Sequence, residues 1–264
     1  NILDAKMRVD EDARLQYASK FARSSNSWKR WKGEILGIKR TNALEVLRQE
    51  EKLFKQMCEA IPELKDDKDL VAKMDALYAK RIPLTKERFA YIEVGYFGIE
   101  AFRHVLNYSN LIKHAEAEDE EALKTEADRL AKRMEGFLKD YDYDLDKQVA
   151  INILPIYLET IKTNPGEEVR ELQEEGSDNW PEEIAEMYED APFFKEDFAE
   201  ELKKNPAKMA KKIAESDLYE LSLEMYSHYF EVINAGLKPI NLEIDALQAR
   251  YVKALQRAFP KKSF

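Results

Sequence analysis

The stretch Asn241-Leu242-Glu243-Ile244-Asp245-Ala246-Leu247-Gln248-Ala249-Arg250-Tyr251-Val252-Lys253-Ala254-Leu255 sets Ile244, Leu247, Tyr251, Ala254 and Leu255 three or four residues apart. That spacing lines one face of an α-helix; a strand would need alternation. The same signal recurs upstream. Asp10 to Phe21 and Trp28 to Lys39 carry it, and the small polar Ser24-Ser25-Asn26 between them reads as a junction of two helices. Asn42 is placed to cap the next helix, with Leu44, Leu47, Leu53, Phe54 and Met57 on its buried face and an end near Ile61-Pro62. Asp66 to Lys80 follows. Pro83-Leu84-Thr85 then opens a long aromatic-rich helix to about His114, in which Gly95 and Gly98 mark a close approach or a bend. Glu120 to Lys139 and Leu145 to Lys162 are separated by Asp140-Tyr141-Asp142. Asn164-Pro165, Trp180-Pro181 and Asn205-Pro206 each put a proline where a first helical turn tolerates it. Ser216 or Asp217 caps a helix to Asn234, stopped by Ala235-Gly236, and Asn241 starts the last one. The expectation is an all-α fold, an irregular bundle of about ten helices forming one domain over 1–264, with no internal repeat.

Composition agrees. The 264 residues are 44% hydrophobic and 36% charged, with only 8 Gly and 9 Pro, too few breakers for the many turns of a sandwich or barrel. An aromatic content of 11% gives a core that a disordered chain lacks. The single Cys58 excludes an internal disulfide framework and a cysteine zinc cluster. No run reaches the roughly 18–20 apolar residues of a membrane span; Val149 to Leu158 is short and broken by Asn152 and Pro155. The chain opens Asn1-Ile2-Leu3-Asp4, with neither Met nor a basic-then-apolar signal, as expected of a segment cut from something larger. Between Gly166 and Asp190 eleven acids face Arg170 alone, so this segment carries the whole net charge of −10. With the acids dominant and no basic stripe, nucleic acid is excluded as a partner.

No Gly-x-Ser-x-Gly, phosphate loop, His-Glu-x-x-His or Gly-x-Gly-x-x-Gly occurs. Of three histidines, His104 and His228 follow Glu100 and Glu224 at i,i+4, which shares a helix face and invites a metal reading. The di-iron bundles use i,i+3 spacing with further glutamates, so surface or hydrogen-bonded histidines fit better and no metal or other cofactor is assigned. The acidic stretch 167–190 lacks an Asp-x-Asp-x-Asp-Gly calcium loop and reads as a solvated face. The aromatics from Phe89 to Tyr108 read as core. That leaves Ser24-Ser25-Asn26-Ser27-Trp28-Lys29-Arg30-Trp31, two of the three tryptophans beside hydroxyls and an amide; at such a junction Asn26 serves equally as an N-cap.

The run Arg14-Leu15-Gln16-Tyr17-Ala18-Ser19-Lys20-Phe21-Ala22-Arg23-Ser24-Ser25-Asn26-Ser27-Trp28-Lys29 resembles the start of the helical domain of bacterial dipeptidyl-peptidases 7 and 11, whose pattern is Tyr-Ala-x-x-Tyr-Ala followed by Asn-x-Trp-Lys. The end, Arg250-Tyr251-Val252-Lys253-Ala254-Leu255 and Pro260-Lys261-Lys262-Ser263-Phe264, is similar to the stretch that leads back into that family's catalytic domain. The resemblance implies a periplasmic or cell-surface serine exopeptidase, a homodimer, with a chymotrypsin-like double β-barrel into which this helical domain is inserted as a cap. Its catalytic His, Asp and Ser would lie outside this chain. Asn26 matches the residue that binds the free amino terminus of the peptide substrate, and Trp28 matches a position read as supporting packing. Ser27 stands where dipeptidyl-peptidase 7 members have Tyr, while Trp31, Gly33 and Glu34 are similar to the branch preferring Asp or Glu at the penultimate position. A second reading of the residues is a free-standing acidic helical module that offers its 167–190 face to a partner.

Overall fold

A computed structural model describes residues 2–262; Asn1 and the Ser263-Phe264 end of the C-terminal motif lie outside them. The described residues form fourteen α-helices and no strand. They are α1 (Ile2–Val9), α2 (Glu11–Arg40), α3 (Ala43–Ala60), α4 (Leu70–Ala90), α5 (Glu100–Val105), α6 (Ser109–Glu116) and α7 (Glu120–Leu138). After them come α8 (Tyr143–Thr160), α9 (Glu167–Glu175), α10 (Trp180–Asp190), α11 (Phe198–Lys204), α12 (Pro206–Ala214), α13 (Asp217–Ser227) and α14 (Ala235–Ala258). Two compact units divide the chain, residues 2–18 with 86–234 and residues 19–85 with 235–262.

The first unit packs α5 to α13 around Phe102, Tyr108, Leu130, Met134, Tyr157 and Tyr188, all buried. Buried carboxylates fix its helix starts. Asp146 on α8 accepts the backbone N–H groups of Glu100 (2.8 Å) and Ala101 (3.0 Å) at the first turn of α5. It also accepts the hydroxyls of Tyr141 (3.2 Å) and Tyr188 (2.9 Å). Glu224 on α13 likewise takes the N–H groups of Glu168 and Val169, both at 2.9 Å, opening α9. Each carboxylate satisfies donors that a helix terminus leaves unpaired and sits at the positive end of the helix dipole. Glu87 holds the segment after α8, its Oε1 accepting from the N–H groups of Lys162 and Thr163 and from the Thr163 hydroxyl.

In the second unit α3, the 3-10 turn Pro62–Asp67 and α14 enclose Phe54, Cys58, Leu64, Leu70, Ala254 and Ala258. Arg250 on α14 binds Asp67 and the Asp66 carbonyl. Of the helically spaced residues, Leu247, Tyr251, Ala254 and Leu255 are the face α14 turns to this core, with Phe54 edge-on to Tyr251 at 4.7 Å, and Ile244 is buried as well.

Several boundaries differ from the sequence expectation. Ser24-Ser25-Asn26 is no junction: α2 runs unbroken through it. Serine and asparagine cost a helix only tenths of a kcal/mol each, too little to stop it without a Gly or Pro. Pro83 lies inside α4 rather than opening a helix, and Pro239 and Gly236 lie inside α14, which begins at Ala235 rather than Asn241. Gly236 is where the Leu84 side chain comes within 3.1 Å of an added Cβ, so its role is close packing rather than termination. Pro181 and Pro206 do stand in first turns, whereas Pro165 precedes Gly166 and α9 starts at Glu167. Asn42 adopts a left-handed conformation (φ 49°) and caps with no side-chain bond. On α3 only Phe54 and Cys58 are buried, while Leu44, Leu47 and Leu53 are exposed.

The long aromatic helix is interrupted. After α4 a π-helical turn, Tyr91–Tyr96, gives way to a break at 97–99 before α5. Tyr91, Phe102 and Tyr108 are core; Phe89, Tyr96 and Phe97 are about half exposed. Gly98 is the bend: a Cβ there would lie 2.6 Å from the Glu93 carbonyl oxygen and against Ile153. Gly33 and Gly37 on α2 are the opposite case, with nothing within 4 Å of an added Cβ. Gly98→Ala is expected to destabilise the chain by at least about 2 kcal/mol, because backbone must move. Gly33→Ala and Gly37→Ala should each stabilise it by about 0.5–1 kcal/mol. Urea unfolding of the three variants checks both signs.

Candidate functional site

The stretch Ser24 to Trp31 singled out in the sequence forms about two turns of α2. Asn26 is exposed on it, and its amide makes no hydrogen bond within the described residues, so the N-cap role does not apply. A mid-helix position fixes the Asn26 backbone while its side chain stays open to an incoming group. Its Oδ1 can accept from a cation, its Nδ2 donate to a carbonyl. Lys29 and Arg30 lie one turn on, sharing its side of the helix by spacing. Trp28 is 58% exposed, with the Lys32 ammonium 4.7 Å from its ring centre, and Trp31 is 39% exposed.

The i,i+4 pairs are committed elsewhere. His104 is buried and stacked on Phe137 at 3.8 Å; burial and the Arg133 charge push its pKa down to about 4, so it is neutral near pH 7. His228 Nε2 lies 2.6 Å from the Thr163 carbonyl, and Glu224 is the α9 cap. No cluster of three or more His, Cys, Asp or Glu side chains suited to a metal occurs among the described residues. Apart from Asp178 in the turn between them, the acids of 167–190 ride on α9 and α10, whose other face buries Val169, Trp180, Ile184, Met187 and Tyr188. Crowding makes a carboxylate more basic there: burial together with Glu220, Glu224 and Glu171 raises Glu168 to about 7. None of the three histidines is hydrogen-bonded to a serine among the described residues, so no serine–histidine pair forms in them.

The sequence profile of the Peptidase S46 family matches residues 1–264. The chain belongs to that family. An Asp/Glu-specific dipeptidyl-peptidase of Flavobacterium psychrophilum is 26% identical over 98% of this chain and 36% of its own length. A dipeptidyl-peptidase 7 of Phocaeicola vulgatus is 31% identical over 61% of this chain and 22% of its own length. An Asp/Glu-specific dipeptidyl-peptidase of Capnocytophaga gingivalis is 26% identical over 62% of this chain and 23% of its length. This S46 chain thus spans between about a fifth and about a third of the curated relatives it matches. It is all-helical, and none of its described helices is long and apolar enough to cross a membrane.

Proposed function

We propose that this chain is the helical cap of a serine-type dipeptidyl-peptidase, inserted in a double β-barrel domain that supplies the catalytic triad. The cap covers the active site, and Asn26 binds the free amino terminus of the peptide so that dipeptides are released. The S46 match over the whole chain carries this reading; the open amide of Asn26 on a regular helix and the lack of a serine–histidine pair among the described residues support it. In this reading the protein acts in the periplasm or at the surface of a bacterium, as a homodimer, and prefers Asp or Glu at the penultimate position.

The physical logic is that of an exopeptidase. It must reward a terminal ammonium and obstruct a continuing chain. A side-chain carbonyl does the first through a charge-assisted hydrogen bond, and a helical cover does the second while excluding water. Fixing the amine fixes which peptide bond reaches the distant serine, and such positioning is a large part of catalysis. The test is dipeptide release by the complete protein from peptides with free or acetylated amino termini, beside this 264-residue chain alone. Release from the free peptide only, and only by the complete protein, is expected. Equal release from the acetylated peptide, or release by the isolated chain, would overturn the reading.

A further inference from the structure

In the first unit α13 faces α5, α6 and the short turn joining them across a groove of about 730 Å³, which Tyr91 and Tyr96 of the π-helical turn Tyr91–Tyr96 also line. The volume is that of an ordinary small-ligand site. Its apolar lining includes Tyr91, Leu106, Ile112, Leu223 and Tyr226. A second π-helical turn, His228–Asn234, backs it: Tyr229 stacks on Tyr91 at 4.5 Å with the rings 25° apart. Single π turns within helices are uncommon and concentrate at functional positions. The burial of Tyr91 among neighbouring tyrosines pushes its hydroxyl up to about 12, so this wall carries no charge at any ordinary pH.

Charge and hydrogen-bonding groups are arranged around that lining. Arg103 lies with its guanidinium 5.6 Å from the Tyr96 ring centre, a cation–π contact that holds it at the groove; Lys113 adds a second cation. Glu116 and Glu220 line the same groove. The Asn107 Nδ2 donates to the His104 carbonyl at 2.7 Å, which leaves Oδ1 to accept from a ligand N–H. A fatty acid would match the cations and the apolar wall and leave both carboxylates facing hydrocarbon. A ligand with amide N–H groups, one apolar side chain and a carboxylate matches every part.

We propose that this groove binds short peptides by their free carboxy terminus, with the carboxylate on Arg103 and an apolar side chain against Tyr91, Leu106 and Leu223. The choice of a peptide as ligand rests on the dipeptidyl-peptidase reading. The groove would be a second peptide site, separate in the chain from Asn26 on α2.

The probe is N-acetyl-Ala-Tyr-Leu, whose blocked amine keeps it from a site that demands an ammonium, titrated calorimetrically into the complete protein beside its carboxamide. Saturable binding is expected, about tenfold weaker for the carboxamide and for Arg103→Ala, the loss of one charge-assisted pair. Leu223→Trp, a change at an exposed position that fills the groove, should abolish it. Asn26→Ala should leave it unchanged. Absence of saturable binding up to about 1 mM overturns the proposal. So does equal affinity for acid and carboxamide, or loss of binding in Asn26→Ala, which would place the probe at the cap. Lack of dipeptide release would instead remove the enzymatic reading and leave the measured binding standing.

Discussion

Asn26→Ala in the complete protein is expected to lower kcat/KM for a peptide with a free amino terminus by about 10- to 150-fold, the equivalent of losing one hydrogen bond to a charged group, about 1.5–3 kcal/mol. The change costs no fold stability. Asn26 is exposed, makes no bond within the described residues, and alanine is the better helix former. Acetylated substrate, which has no ammonium to lose, should turn over equally poorly with both proteins. Steady-state kinetics on the matched pair of peptides separates the cases. An unchanged rate with the free peptide would leave Asn26 as an ordinary surface residue and the cap without a contact to the amine.

Asp146→Ala should destabilise the chain by about 3–5 kcal/mol, the range for deleting one partner of a buried charged network. Four donors converge on this carboxylate: two backbone N–H groups of α5 and the hydroxyls of Tyr141 and Tyr188. Alanine leaves all four buried without an acceptor, and total stabilities are only about 5–15 kcal/mol. Urea unfolding gives the number; a loss under about 1 kcal/mol would mean that water replaces the carboxylate.

The same residue sets a pH dependence. Burial pushes the Asp146 carboxyl up to about 6, against an ordinary 3.8, with the N–H groups of Glu100 and Ala101 and the Tyr188 hydroxyl opposing the rise. Between those values the folded chain holds a proton that the unfolded chain has released, so acidification favours the folded state. The wild type should gain stability relative to Asp146→Asn as pH falls from 7 toward 4, read as a widening gap between their unfolding midpoints. A gap that narrows would show the donors outweighing burial.

What was legible in the sequence was the material of the fold. Periodicity gave α7 and α8 to within about two residues at each end, and each has an aspartate cap at its start. Asp142, accepting the Leu145 N–H at 2.9 Å, is such a start. Boundaries failed where local propensity was weak on both sides of the question. A Ser-Ser-Asn run is compatible with a junction or with an exposed helix, and Pro83 and Pro239 are breakers only when flanking turns do not hold. Long-range pairings left less trace. Nothing local in Asp146 marks it as the cap of a helix 46 positions away, and an acid on a helix ordinarily faces water. The groove was half visible: Tyr91 and Tyr96 belong to the aromatic run read as core, but the wall opposite, on α13, comes from more than a hundred residues further on. Asn26 itself was legible only through resemblance, since an isolated surface amide has no signature in composition or spacing.

Cys58 offers a clock that needs no engineering. The only cysteine in the sequence sits at the centre of the second unit, fully shielded, its thiol pushed up by burial. A thiol-directed reagent can therefore modify it only during openings of the α3–α14 core, so the labelling rate over a range of denaturant reports that unit's own opening free energy. Followed beside the whole-chain signal, it tells whether 19–85 with 235–262 melts ahead of the rest or together with it.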